Sequence, residues 1–223
     1  MPRLRTEAGL AQAANVLRET ARRLVGVPEM ARTLAGSRRP KRLRVRVLIL
    51  RDEQGRPVAT VGDVEPALAE ARRVLREQAA IELLPAHEPA VATLEVPAPA
   101  AALDSPCAEG SWRADFGAGG AFFRRFAARR GGDSGGAPIT VFVVRDVLGK
   151  AGCSLGPLVD YVTVDMGALR GRTRRVLVHE LGHACGLPHS RAAGNLMLPR
   201  RMGERLQPWQ AAVLRSSRHV TYR

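Results

Sequence analysis

The sequence predicts an α/β (α+β) fold: a twisted, mixed β-sheet packed on helices, with one long histidine-bearing helix and a small C-terminal subdomain. Three observations predict it. The chain has 223 residues, 45% of them apolar, which suits one substantial core. Segments with the two-residue period of strands alternate with segments of helical period. Their order is strand, helix, strand, long intervening stretch, strand, edge segment, strand, helix, which fits a mixed sheet covered by helices.

Residues 1–40 are rich in Ala and Arg. Leu10, Ala14, Leu17, Ala21 and Leu24 fall on one helical face, and Pro28, Gly36 and the basic run SRRPKRLR follow. This stretch reads as an N-terminal helical, basic extension, leaving 41–223 as the main domain. RLRVRVLILRD (42–52) alternates and then turns apolar, as a strand does. VEPALAEARRVLREQAA (64–80) reads as a helix, with Asp63 as N-cap, Pro66 in the first turn, and Ala67, Ala71, Val74, Leu75 and Gln78 along one face. IELLP (81–85) and VATLEV (91–96) read as short strands.

From about 97 to 137 the chain is rich in Pro, Gly and Ala. It reads as a long surface insertion, holding one short helix at 121–130 with Phe122, Phe123 and Phe126 turned inward. PITVFVVRDV (138–147) is the strongest strand pattern. KAGCSLGP (150–157) suits an edge strand, and DYVTVDM (160–166) another strand. LQPWQAAVLRSS (206–217) starts a helix near Pro208, inside a C-terminal subdomain from about 190.

The chemistry concentrates in VLVHELGHACGLPHS (176–190), which holds three of the five histidines. On a helix His179 and His183 are separated by about 40° around the axis and roughly 6 Å along it, so both rings point the same way. That suits two ligands of one tetrahedral zinc. Glu180 can lean toward the metal's open position as a general base without ligating it. Gly186 can adopt the left-handed conformation that ends a helix, and Pro188 keeps it from resuming. His189 can then return as third ligand. Five fixed positions give a chance match on the order of 10⁻⁵ in such a chain. Glu204 is the rival third ligand, in a segment without helical period.

HExxHxxGxxH, followed by GNLMLP (194–199), resembles the signature of the metzincin zinc metallopeptidases. The order of elements is similar over about 42–217, the motif over 176–210. Ser190 and NLMLP are as in matrixins, and GRTRRVLVHELGHACGLPH is also similar to pappalysin-type enzymes. The resemblance implies a zinc-dependent endopeptidase acting on a peptide or protein. Zinc is then held by His179, His183 and His189, with Glu180 as base and Met197 as the residue of an apolar turn beneath the metal. It also implies a substrate-pairing edge strand at Lys150, Ala151, Gly152, Cys153, Ser154, Leu155 and Gly156. The sequence departs from the clan in lacking a tyrosine near the Met-containing turn, in its 97–137 insertion and in its arginine density. No clear cysteine-switch segment is present; Cys107 on zinc is the remaining version of that idea.

Three cysteines are too few for a disulfide framework. A Cys153–Cys185 bridge would tie the edge strand to the histidine helix; two buried thiols are the alternative. Asp160 and Asp165 flank a strand and suit turn or cap roles, with calcium an unsupported alternative. His87 and His219 read as surface residues.

The net charge is +14, and of 35 basic residues only Lys41 and Lys150 are lysines. That balance leaves an anionic-polymer binder as one alternative and a non-catalytic zinc module as another. A general arginine bias explains the charge more simply, since aromatics are 4% and no nucleic-acid-binding motif is present. No run is long and apolar enough for a membrane span, and no signal peptide is recognisable. The default expectation is a cytoplasmic monomer, with non-classical secretion as the alternative.

Overall fold

The computed structural model describes residues 26–107, 115–127, 136–171, 174–199 and 202–222. The helical face read over Leu10–Leu24 lies outside them. Residues 26–34 form helix α1. Strand β1 (Lys41–Arg51) follows and organises the sheet. Its alternation sends Leu43, Val45, Val47 and Ile49 to one face, and Arg42, Arg44, Arg46, Leu48 and Leu50 to the other.

Beyond it come α2 (Val61–Ala79), β2 (Ile81–Pro85) and β3 (Val91–Pro97). The next elements are α3 (Ala100–Leu103), β4 (Asp104–Ser105), α4 (Ala118–Phe126), β5 (Ile139–Val144) and β6 (Asp146–Val147). Then follow β7 (Gly152–Ser154), β8 (Tyr161–Asp165), α5 (Met166–Arg170) and α6 (Val176–Ala184). The chain closes with α7 (Pro208–Ser216) and β9 (Val220–Tyr222).

The sheet runs β2-β1-β5-β8-β7, with β3 and β9 also on β1. β1 pairs in parallel with β2, β3 and β5, and β5 with β8. β9 and β7 are the antiparallel members. The fold is therefore a mixed α/β domain with a mostly parallel sheet. Helices cover both faces, as parallel strands buried on both sides require. On one face α2 and α6 pack Leu68, Leu75, Leu177 and Leu181 against Val45, Val47, Val141 and Val164. On the other, Leu103 of α3 and Phe123 of α4 pack on Leu48, Leu50, Phe142 and Tyr161. Phe123 stacks between Phe142 and Tyr161 at centroid distances of 4.8 and 5.1 Å.

Several expectations are corrected. The stretch 97–137 is not simply a surface loop: its described part contains α3, β4 and α4, and these form the second helical layer. The short helix expected at 121–130 is α4, at Ala118–Phe126, whereas the four-residue, Ala-rich α3 is too short to show a period. The N-cap of α2 is Thr60, not Asp63. Asp63 is the third residue of a capping box, accepting from Thr60 N at 2.8 Å while Thr60 Oγ1 accepts from Asp63 N at 3.2 Å.

The boundary drawn at residue 40 falls in a packed region. Glu29 of α1 is buried against Lys41 (3.2 Å) and Arg215 (3.4 Å). Arg215, 1% exposed, also donates to Ala79 O and Arg39 O, both at 2.9 Å, which ties α1, α2 and α7 together. His219 is buried, with Nδ1 2.7 Å from Ala137 O. Among the described residues no helix is long and apolar enough to cross a membrane.

The cysteine pairing also differs from the expectation. Cys153 bonds to Cys107, not to Cys185, which is buried and outside the disulfide. The reason lies in the pleat: Cys153 points to the sheet face covered by α3 and α4, whereas Cys185 belongs to the core beneath α6. Non-reducing peptide mapping should therefore recover a Cys107–Cys153 cross-link and one thiol, Cys185, that alkylates only after unfolding. Cys107→Ser should cost about 2–4 kcal/mol in denaturant titration. A Cys153–Cys185 peptide would refute the pairing.

Candidate metal centre

Helix α6 is buried along its whole length, including His179, Glu180 and His183. Its start is charged. Arg175 occupies the N-cap position, where a cation opposes the helix dipole. Two carboxylates offset this: Arg175 donates to Glu70 Oε1 at 2.9 Å and to Glu204 Oε1 at 2.5 Å. Arg73 of α2 bonds the same two glutamates at 3.0 and 2.7 Å. This cluster joins α2, the start of α6 and the C-terminal segment. It also accounts for Glu204, the rival third ligand, which here serves an ion-pair network. The hydrogen bonds from Arg73 lower the Glu70 carboxyl to about 2, burial opposes them, and Arg175 adds to the lowering.

The helix ends at Gly186, whose φ is +96°. Gly186 N donates to His183 O and Leu187 N to Gly182 O, both at 2.9 Å. This is the Schellman arrangement, in which the left-handed residue lets two terminal carbonyls be satisfied. The turn reverses the chain and brings His189 back over the helix. Ring nitrogens of His179, His183 and His189 lie within 4.8 Å of one another, a group that can hold a metal ion.

Each helical histidine has its far nitrogen committed. His179 Nδ1 is 2.8 Å from Leu196 O, and His183 Nδ1 is 2.7 Å from Leu187 O. A carbonyl only accepts, so each Nδ1 carries a proton, and in the neutral rings both Nε2 atoms present lone pairs. These two Nε2 atoms are 3.1 Å apart. Two lone pairs that close call for a shared cation. Two ligands of a tetrahedral zinc at about 2.0–2.1 Å would sit about 3.3 Å apart. His189 is solvent-exposed and closes the third side.

The surroundings are shaped by two glycines. A Cβ on Gly152 would lie 2.7 Å from Glu180 Cγ, so β7 passes directly over the carboxylate. A Cβ on Gly182 would lie 2.7 Å from Met197 Sδ, so the methionine packs under the helix. Ser190 N donates to Met197 O at 2.9 Å, joining the segment after His189 to that turn. Of the expected edge segment, Gly152, Cys153 and Ser154 form β7. Lys150 and Ala151 precede it in a turn, and Leu155 and Gly156 follow it. A cleft of about 390 Å³ opens between Ser154, Gly156 and Pro157 on one side and His183, Pro188 and His189 on the other. Arg218, buried, holds one wall by donating to Pro157 O at 2.9 Å and pairing with Asp160. Asp165 caps α5 by accepting from Ala168 N at 2.8 Å. Three features are not legible in the sequence: the close approach of Gly152, expected only as part of the edge strand, to Glu180; the Glu70–Arg175 contact; and the buried Gln210, of which only the last, a polar residue on the inner side of an amphipathic helix, carries a signal.

No protein-family model matches the chain, and no curated protein matches it. Among solved structures it is similar to metalloproteinase-II from Bacteroides fragilis, at 10% identity and a TM-score of 0.46 over 80% of this chain. It is also similar to archaemetzincin from Methanopyrus kandleri, at 13% and 0.41, over 79% of this chain and 88% of that one. A zinc-dependent peptidase from Methanocorpusculum labreanum matches at 17% and 0.39, over 78% of this chain and 94% of that one. The chain spans 56% of the length of the first.

Two consequences can be measured. Gly152→Ala forces Glu180 or β7 to move, and should cost about 1–3 kcal/mol in urea denaturation. A variant as stable as the parent would mean that the contact is slack. Glu70 has a depressed folded pKa, so its stabilisation is complete above its ordinary value of 4.5 and is lost as pH falls toward about 2. Thermal unfolding should find Glu70→Gln less stable at neutral pH, with the gap closing across that window. A constant gap would show that the charge plays no part.

Proposed function

We propose that this chain is a zinc-dependent metalloendopeptidase of metzincin type. The observation that carries the reading is the approach of two lone-pair-bearing Nε2 atoms to 3.1 Å, with both Nδ1 protons given to backbone carbonyls. Zinc would be held by Nε2 of His179 and of His183 and by a ring nitrogen of His189. When bound, the metal supplies Lewis acidity, polarising a carbonyl and lowering the pKa of a coordinated water to about 7.

The protein's own groups do the rest. Glu180 follows His179 on the helix, is 5% exposed, and lies against the backbone of β7. It takes the proton of the attacking water and returns it to the leaving amine nitrogen. β7 has β8 as its strand partner on one edge, at the end of the sheet, so an extended peptide can add to the other. Met197, fully buried against Gly182, gives the site an apolar floor, which supports the metzincin assignment. The Cys107–Cys153 bridge favours an oxidising compartment over the cytoplasm.

The test pairs metal content with cleavage. Wild type and Glu180→Ala should each bind one zinc. Only wild type should cleave a diverse peptide library, a chelator should abolish that cleavage, and the loss in the variant should be at least about a hundredfold. Zinc in both proteins with cleavage by neither would favour a non-catalytic metal module. No zinc in either would refute the reading.

A further inference from the structure

We propose that the buried amide pair Asn195–Gln210 is a positioning device for the ligand His179; this rests on the metal-site reading above. Gln210 is 0% exposed and Asn195 2%. The two amides face each other reciprocally: Asn195 Nδ2 donates to Gln210 Oε1 at 2.7 Å, and Gln210 Nε2 donates to Asn195 Oδ1 at 3.2 Å. Each oxygen takes one more bond, from a backbone N–H. Asn195 Oδ1 accepts from Met197 N at 2.9 Å, and Gln210 Oε1 accepts from Gln207 N at 2.9 Å.

The pair thereby couples the first turn of α7 to the turn that carries Met197. Leu196 lies between Asn195 and Met197, which the Asn195 side chain ties together, and its carbonyl receives the His179 Nδ1 proton at 2.8 Å. Two apolar side chains would fill the same space without the cost of burying amides. What they could not do is fix where that carbonyl points. His183 differs, because its partner Leu187 O belongs to the terminal turn of its own helix. Asn195 and Gln210 therefore act on His179, and through it on metal affinity, without touching the metal or the reacting atoms.

The experiment measures zinc dissociation constants on the full chain, by competition with a chromophoric chelator. Outer partners of metal ligands typically set affinity by 10–100-fold, so Gln210→Met should raise the zinc Kd by about tenfold or more. Leu50→Ala, buried in the core on the opposite sheet face, is the control for general loosening. Its Kd should stay within about twofold of wild type even though its stability falls. Equal shifts in both variants would reduce the pair to packing and overturn the proposal, as would no shift in Gln210→Met. Should Gln210→Met not fold, Gln210→Glu carries the same test. It keeps an acceptor for Asn195 and Gln207 but sets a carboxylate oxygen against Asn195 Oδ1 where the amide had donated, so the zinc Kd should again rise. A wild type that binds no zinc overturns the metal centre and this inference together, whereas normal zinc binding by wild type and variant alike overturns this inference alone.

Discussion

One constraint governs this molecule: helix α6 is buried on every side while carrying two imidazoles and a carboxylate. Polar groups in such a place are costly unless each finds a partner. For the two imidazoles the fold meets the demand with backbone. Leu196 O and Leu187 O each take one Nδ1 proton, which sets the tautomers and turns the remaining lone pairs toward a single point. A convergent histidine cluster is thus the by-product of satisfying the helix. The same constraint accounts for Gly152 and Gly182, because a fully packed helix leaves no room for a Cβ where β7 and Met197 approach it.

How much of this can be read from the sequence depends on the range of the interaction. β1, β2, β3, β5 and β8 show in local alternation, and α2 shows in its period, so the α/β class is legible. The HExxHxxGxxH spacing is local too, and the structure brings its three histidines together. What escapes is set by partners distant in sequence. β9 is three residues long and exists because β1 offers it an edge. Glu70 reaches Arg175 from another helix, across 105 positions. Cys107 meets Cys153 through a layer whose first helix, α3, is rich in Ala and too short for a period to emerge. His219, with no local pattern, was read as a surface residue; the 136–138 connection buries it.

The two helical histidines illustrate the same division within the site. His183 is oriented by a carbonyl four residues downstream, inside the turn that Gly186 closes, so a short stretch of sequence encodes its geometry. His179 is oriented by a carbonyl seventeen residues away, in a turn held from α7. A motif match therefore specifies one histidine's tautomer locally and leaves the other's to the residues around Leu196 and α7. Residues beyond His189 thus help to set the geometry of the histidine cluster.

The wall of the cleft obeys a harsher arithmetic. β7 has three residues and one strand partner, and a backbone hydrogen bond contributes only about 0.5–1.5 kcal/mol net. Such a strand cannot hold itself over a buried carboxylate by ladder bonds alone. The structure adds restraint from two directions. On the helix side, the absent Cβ of Gly152 lets β7 settle onto Glu180. On the far side, the disulfide from Cys153 anchors the strand to the segment following β4. Because successive side chains of a strand point to opposite faces, the residue that touches the carboxylate and the residue that carries the cross-link must be neighbours. Gly152 and Cys153 are neighbours, so the covalent tie acts one residue from the place where the position of β7 matters most for Glu180.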